Sequence, residues 1–134
     1  MSTKIFVNLP VKDLRKSIDF WTQLGFTFNA QFTDDRATCM IIGDDSAVML
    51  LVEDRFQDFT TKQLCDATKQ TEAIIALSAE SRDGVDTLAD KALEAGGHPS
   101  NEPMDEGLMY GRSFQDPDGH LWEVIYMDPK AVEQ

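Results

Sequence analysis

The sequence predicts an α+β fold made of two βαβββ modules in tandem, forming a curved sheet around a cleft. The chain has 134 residues, the size of one ordinary domain. Its hydrophobic pattern runs twice through a strand, a capped helix, a glycine stop and further strands. The two copies are offset by 68 residues, since Leu9 to Asp13 aligns with Leu77 to Ser81.

The first copy opens with a strand from Ile5 to Val11, in which apolar residues alternate with a second, unlike set of side chains. Asp13 predicts a helix N-cap, and the apolar stripe that follows ends at Gly25, a residue that favours helix termination. Short polar turns then separate three predicted strands, which are Phe26 to Phe32, Ala37 to Ile42 and Ala47 to Glu53.

The segment between the two copies interrupts this pattern. Phe56, Phe59, Leu64 and Ala67 have the spacing of a short helix, with Thr60 or Thr61 as its cap. We interpret residues 54–71 as a linker or as a lid helix that covers a site.

The second copy repeats the order of the first. A strand from Ala73 to Ala79 precedes the predicted N-cap Ser81, and an apolar helical stripe ends at Gly96. Strands follow near His98 to Pro103, at Leu108 to Gln115 and at His120 to Met127, with a type I turn and bulge at Asp116 to Gly119. A single domain, 1–134, is thus predicted to contain module one (1–53), the linker or lid helix (54–71), module two (72–128) and a C-terminal tail (129–134).

Charge and composition exclude several classes of protein. The net charge of −12 argues against nucleic acid, because a phosphate backbone requires clustered Lys and Arg. No apolar run approaches the roughly 20 residues that span a bilayer, so no membrane partner is expected. The N-terminus lacks an apolar signal region, and we expect a cytoplasmic protein in which Cys39 and Cys65 are reduced.

Two motifs resemble the vicinal-oxygen-chelate superfamily, which includes glyoxalases, bleomycin resistance proteins and extradiol dioxygenases. The segment from Asn8 to Trp21 is similar to its opening signature, V-x-D-L-x-x-S-x-x-F-[YW]. The segment from Phe114 to Glu123 is similar to its closing signature, F-x-D-P-D-G-x-x-x-E. The resemblance covers nearly the whole chain, and it implies βαβββ modules packed into a cup within a homodimer.

The resemblance also implies a place for a metal ion. Metal-dependent members hold a divalent ion with four His, Glu or Gln side chains, on the first and fourth strands of each module. The matching positions in this chain are Phe6, Leu50, Ile74 and Glu123. Because only Glu123 has a ligand-capable side chain, we expect no metal ion and no other cofactor.

Strand parity predicts the lining of the cleft. Module one contributes Phe6 and Asn8 together with Val48, Leu50 and Val52, and in module two Ser113 joins the face of Ile74 and Glu123. Trp122, Tyr110 and Arg112 have the opposite parity, which favours structural roles. An apolar lining with few polar groups suits an organic ligand held by shape. The predicted ligand-binding residues are Phe6, Asn8, Leu50, Ile74, Ser113 and Glu123.

Two functional hypotheses follow. In the first, the protein binds a small amphiphilic organic molecule without a metal. This is the function of the antibiotic-sequestering members of the family that the motifs resemble. In the second, it is an enzyme, either a glyoxalase I-like lyase or a metal-free isomerase that uses Glu123 as the catalytic acid or base. A purely structural role is a third possibility. The partners expected are a small molecule and a second copy of the chain.

Overall fold

A computed structural model describes residues 3–131 of the chain. The chain divides into two compact units, Met1–Cys65 and Asp66–Gln134, and each contains one mixed sheet. Three α-helices lie within the described residues. The α+β class and the two-module organisation are therefore confirmed, while the cleft and the module boundaries stay predictions. Residues 132–134 of the predicted tail lie outside the described residues.

The first unit follows the predicted order of elements. Asp13 caps the helix by accepting a hydrogen bond from the Lys16 amide at 3.1 Å, and Gly25, with φ +99°, ends it. The sheet order is β1-β4-β3-β2, with β1 parallel to β4 and the other pairs antiparallel. The elements are β1 (Ile5–Val11), α1 (Leu14–Gln23), β2 (Thr27–Phe28), β3 (Ala37–Gly43), β4 (Ser46–Val52) and α2 (Glu53–Gln57).

The second unit repeats this topology. Its sheet order is β5-β9-β8-β6, with β7 also paired to β8, and β5 runs parallel to β9. Ser81 caps its helix through the Gly84 amide at 2.9 Å. The elements are β5 (Ile74–Ser78), α3 (Arg82–Glu94), β6 (His98–Pro99), β7 (Met104–Asp105), β8 (Met109–Gln115) and β9 (Leu121–Met127).

Each unit has its own apolar core, where a helix covers one face of the sheet. In the first unit α1 packs against β4 and buries Phe20 and Trp21, whose rings meet edge to face. In the second unit α3 packs against β8 and β9. The core side chains with almost no exposure are Val11, Met40, Val48 and Leu50 in the first unit, and Val85, Ala89, Ala92, Phe114, Trp122 and Val124 in the second.

Two predicted strands are shorter than expected. The strand at 26–32 stops at Phe28, because the Asn29 side chain accepts a hydrogen bond from the Gln31 amide and starts a 3₁₀ turn, Ala30–Phe32. The strand at 98–103 pairs only through His98 and Pro99. In both cases a local side chain or a proline removes the ladder that the apolar pattern predicted.

The helix predicted with a cap at Thr60 or Thr61 is wrong in position. The short helix α2 begins at Glu53, directly after β4. It is followed by a turn in which the side-chain amide of Gln57 donates to the carbonyl oxygens of Thr60 and Lys62, both at 2.9 Å. The Thr60 hydroxyl accepts from the Lys62 backbone amide within this turn.

Among residues 3–131, none of the helices has the length and apolar character needed to span a membrane.

The turn between β8 and β9 is organised around a buried carboxylate. Asp116 is 2% exposed and accepts hydrogen bonds from the amides of Asp118 and His120 and from the indole N–H of Trp122, at 2.9 to 3.0 Å. Gly119 has φ +92°, and a Cβ there would lie 2.9 Å from the Ala67 carbonyl oxygen. Burial raises the pKa of Asp116, against the opposing effects of His120 and of the Trp122 bond.

We predict that Asp116→Asn lowers the free energy of unfolding by about 1–3 kcal/mol, the usual cost of leaving a buried polar group unsatisfied. An amide has one acceptor oxygen, so its NH₂ group must face either the Trp122 N–H or the turn amides. Urea denaturation followed by far-ultraviolet circular dichroism measures the change. Asp44→Asn, in the exposed turn between β3 and β4, is the matched control. Equal stability of the two variants would show that removing the buried charge offsets the lost bonds.

Candidate functional site

The helix-free face of the second sheet carries the one ligand-capable residue of the predicted metal set. Glu123 on β9 is in register with Ala76 on β5 and with Ser113 on β8. Side chains in register share a face of the sheet. The opposite face packs on α3, because Tyr110 and Arg112 of β8 hydrogen-bond to Asp86 of that helix. The predicted grouping of Ile74, Ser113 and Glu123 on one face is confirmed.

In the first unit the predicted grouping is wrong at Leu50. Leu50 is in register with Leu9 and is fully buried on the helix-covered face. Phe6 is in register with Ala47, and Asn8 with Met49. Val48 and Val52 therefore also lie on the face opposite Phe6. The alignment was one residue out of register, and a slip of one residue moves every side chain of a strand to the other face.

Met49 takes the place of Leu50 as the counterpart of Glu123. The pair Asn8 and Met49 in the first unit corresponds to Ala76 and Glu123 in the second, since Asn8 and Ala76 are related by the 68-residue repeat. A thioether is a soft ligand that suits Cu(I), and it is not among the thiolate, imidazole and carboxylate ligands that hold zinc in proteins. Within residues 3–131, no three His, Cys, Asp or Glu side chains are grouped to hold a metal ion. The residues present do not fit the metal site that the motifs implied.

Phe6, Ile74 and Asn8 lie on the helix-free faces as expected. Phe6 and Ile74 are more than half exposed. The Asn8 amide donates to the Phe6 carbonyl oxygen at 3.3 Å, so part of its hydrogen-bonding capacity is used within its own strand. A role in ligand binding stays a prediction for all three.

A pocket of about 140 Å³ opens on the helix-free face of the second sheet. Two carboxylates, Glu102 and Glu123, border it. The short strand β7 and the loop before it form one wall, and β8 and β9 form the floor. Its lining residues are Asn101, Glu102, Met104, Gly111, Arg112, Ser113, Glu123 and Ile125.

Ser113 positions the wall of this pocket. Its hydroxyl accepts a hydrogen bond from the Asn101 amide at 2.8 Å and donates to the Asn101 carbonyl oxygen at 3.4 Å. Gln115, two residues along the same face, donates to the Pro99 carbonyl oxygen at 3.1 Å. Because Pro99 and Pro103 leave little ladder pairing in this segment, these two side chains hold the loop that carries Glu102 against β8.

The two carboxylates give the pocket its electrostatic character. Glu123 is half-buried, and no described residue donates a hydrogen bond to it or forms an ion pair with it. Glu102 is exposed and likewise has no such partner among the described residues. An unpaired carboxylate in a partly apolar site is favoured by a ligand that donates hydrogen bonds or carries positive charge.

Tyr110 and Arg112 have the structural roles that strand parity predicted. The Tyr110 hydroxyl donates to Asp86 at 2.6 Å, and Arg112 donates to Asp86 at 3.2 Å and to Asp90 at 2.8 Å. The Tyr110 bond, followed by Arg112, holds the pKa of Asp86 below its usual value. The guanidinium of Arg112 is therefore committed to α3, away from the two glutamates.

Sequence reasoning missed Asn101 and Glu102, which lie in the predicted strand near His98 to Pro103, and Met104, which follows it. Their position in the pocket depends on the loop folding back over β8, which the pairing of Met104 with Gly111 produces. The glycine within a strand pattern was the available signal, since such a residue often marks a close approach. A Cβ at Gly111 would lie 3.7 Å from the terminal methyl carbon of Met104.

Comparison with known proteins gives one family and several similar structures. The sequence model of the glyoxalase/bleomycin resistance protein/dioxygenase superfamily matches residues 5–124. A hypothetical protein from S. aureus is 32% identical, with a TM-score of 0.79 over 94% of each chain. No curated protein sequence matches significantly.

Two further structures share the fold at lower identity. A glyoxalase/bleomycin resistance protein/dioxygenase family enzyme from Burkholderia phytofirmans is 14% identical, with a TM-score of 0.77 over 94% of this chain and 99% of that one. A fosfomycin resistance protein from Mesorhizobium loti is 16% identical, with a TM-score of 0.69 over 98% and 97%. At these identities the likeness concerns the fold alone.

We predict that the purified protein carries no stoichiometric zinc, nickel, manganese or iron. Phe6 and Ile74 have no donor atom, and Met49 offers a thioether in place of a carboxylate or imidazole. Elemental analysis by mass spectrometry tests this, with Glu106→Ala as a control for general surface binding. About one ion per chain that is lost in Glu123→Ala and kept in the control would contradict the prediction.

Proposed function

The chain belongs to the glyoxalase/bleomycin resistance protein/dioxygenase superfamily, and we propose that it binds a small amphiphilic organic molecule without a metal ion. The observation that carries the proposal is the half-buried, unpaired carboxylate of Glu123, placed on a helix-free sheet face with Ile74, Ile125 and Met104 nearby. The mode of action proposed is sequestration of an antibiotic-like molecule.

The charge of the ligand follows from the pocket. Glu102 and Glu123 both face it, and the one cationic residue in its lining, Arg112, is bonded to Asp86 and Asp90. The net charge of −12 adds a long-range field that attracts cations and repels anions. The ligand therefore carries a cationic or strongly hydrogen-bond-donating group, with an apolar part that contacts the sheet.

A second candidate function is a metal-free isomerase in which Glu123 acts as general base. It is favoured by the same observation, because a carboxylate without a hydrogen-bond donor is available to accept a proton from a bound substrate. A glyoxalase I-like lyase is the less favoured form of this alternative. That chemistry uses a metal to stabilise an enediolate, and Phe6, Met49 and Ile74 cannot hold one.

Two unpaired cysteines support a cytoplasmic location as part of the proposal. Cys39 is buried and Cys65 is exposed, and neither forms a disulfide in the described chain. Reduced cysteines are typical of the cytosol. An exposed thiol is stable there, whereas an oxidising compartment favours its pairing.

The proposed active form is a homodimer. On the helix-free face of the first sheet, Phe6 is 57% and Ile41 42% exposed, on either side of Ala47. On that of the second sheet, Ile74 is 54% exposed. Exposed apolar side chains grouped on a sheet face are typical of surfaces that associate, and homodimers are the commonest oligomers.

We predict that Glu123→Gln weakens binding of a cationic aromatic ligand by about 1–3 kcal/mol, the value of a hydrogen bond to a charged group. Calorimetry or thermal shift over a panel of cationic aromatics and glutathione thioesters identifies the ligand class. Glu106→Gln makes the same charge change outside the pocket and should leave affinity unchanged. If only the anionic thioesters bind, and turnover follows, the enzyme alternative replaces sequestration.

We predict a homodimer at micromolar concentration, measured by light scattering. Phe6→Ser should shift the equilibrium towards monomer, because it removes an exposed ring from the helix-free face. Ile5→Ser is the matched control, since Ile5 is 60% exposed in the same strand but points to the other face. A monomeric wild-type protein, or equal effects of the two substitutions, would contradict the proposed interface.

A further inference from the structure

A pocket within the first unit lies on the helix-covered side of its sheet. Its volume is about 410 Å³, within the roughly 300–1,000 Å³ of small-molecule sites. It opens between α1, the short strand β2 and the turn that leads into β3. Its lining residues are Leu14, Arg15, Ile18, Phe28, Thr33, Asp34, Asp35 and Thr38.

The pocket exists because β2 ends early. Phe28 is in register with Met40 and Thr38 with Leu50, so Phe28 and Thr38 both point to the side covered by α1. After Phe28 the chain leaves the sheet edge for the 3₁₀ turn, Ala30–Phe32. The space that a longer edge strand would have filled stays open beside Leu14 and Ile18, and its surface is mainly apolar.

Apart from Arg15, the polar side chains of this pocket offer mainly acceptors. Thr33 donates its hydroxyl hydrogen to the Asn29 carbonyl oxygen at 2.8 Å, so the 2.8 Å contact between Thr33 and Thr38 uses the Thr38 hydrogen. Thr38 is fully buried, and its oxygen keeps accepting capacity that no described residue fills. A ligand that reaches Thr38 must therefore bring a donor.

The rim adds two carboxylates with spare accepting capacity. Asp34 uses Oδ1 to accept from the amides of Arg36 and Ala37, at 2.8 and 2.9 Å, which fixes the turn beside the pocket. Within the part of the chain that the structure describes, Asp34 Oδ2 and both oxygens of Asp35 accept no hydrogen bond. Arg15, the one cation in the lining, is exposed on α1 and forms no ion pair with a described residue.

We propose that this pocket is a second small-molecule site, specific for a hydrophobic amine. The apolar part of the ligand packs against Leu14, Ile18 and Phe28. Its ammonium group donates to the rim carboxylates and towards Thr38. The site is independent of the helix-free face that carries Glu123, so each can be present without the other.

A matched set of three probes tests the charge preference. Phenethylamine, 2-phenylethanol and 3-phenylpropanoate share one apolar body and end in a cation, a neutral hydroxyl and an anion. Titration followed by ¹H–¹⁵N correlation spectroscopy reports which amides shift. Phenethylamine should cause saturable shifts at residues 14–18, 28 and 33–38. The neutral and anionic probes should bind at least about fivefold more weakly, the smallest usual effect of losing a hydrogen bond to a charged group.

Four variants test this site and separate it from the other pocket. Asp35→Asn should weaken the binding of phenethylamine, measured from the shifts at residues 14–38, by about twofold to fivefold, the range of an exposed ion pair. Ile18→Phe should fill the space and remove these shifts. Glu123→Gln should leave them unchanged. Thr38→Val tests the buried acceptor, and Asp35→Asn and Ile18→Phe keep the test valid if that variant does not fold.

Three outcomes would overturn the proposal. One is the absence of saturable shifts at residues 14–38 with about 10 mM phenethylamine, because the affinity would then be weaker than millimolar. Another is equal binding of the alcohol or of the carboxylate. The third is shifts confined to the surroundings of Glu123, which would support the proposed function and leave the first-unit pocket without a ligand.

Discussion

The parallel pairing of the first and last strands in each unit is the constraint on which the rest of the structure depends. In register, Leu9 meets Leu50 and Leu77 meets Val124, and these residues line the faces that the helices cover. Once this register is set, the side chains between them must point to the helix-free side. Glu123 is on that side because Trp122 and Val124, its neighbours, belong to the core.

The buried carboxylate of Asp116 fixes the turn from β8 into β9, the last strand of the second unit. It ties three N–H groups, from Asp118, His120 and Trp122, to the end of β8, so that β9 starts in one position only. The corresponding turn between β3 and β4 has no buried carboxylate, and a register shift occurs beside it, between Ile41 and Gly43. The unit whose last strand carries a ligand-capable residue is thus the one in which the turn before that strand is fixed by a buried network.

Local signals in the sequence were sufficient for most of the fold. Alternation in Ile5–Val11, the caps Asp13 and Ser81, and the glycine at position 119 each act within a few residues, so they can be interpreted without knowing which strands pair. They do not report how two distant strands align. For this reason Leu50 was assigned to the position that Met49 occupies. Both residues are apolar, and only the register with Leu9 or Asn8 distinguishes them.

The site could be predicted only in part, for related reasons. Glu123 was identified because it follows a turn with a recognisable sequence. Glu102 could not be, since its position depends on Ser113 and Gln115 holding a strand-poor segment. The early end of β2 was hidden in the same way, because an asparagine side chain competes with the ladder at a position where the apolar pattern continues. The pocket beside Thr38 follows from that competition, so periodicity alone could not reveal it.

The acidity of the chain acquires a more specific meaning from these two pockets. In an acidic protein most carboxylates are solvated, and their charge has little effect on specificity. Glu123 is half-buried, and Asp34 and Asp35 border a mainly apolar space beside the buried acceptor of Thr38. Half-burial leaves the Glu123 carboxylate fewer hydrogen bonds to water. The exposed Asp34 and Asp35 place carboxylate oxygens at the rim of an apolar space, where they outnumber the one cation, Arg15. The net charge of −12 brings cations to the surface. Which of these cations remains bound then depends on two features of the ligand. Its donor group must reach the unfilled acceptors, and its apolar body must fit the pocket.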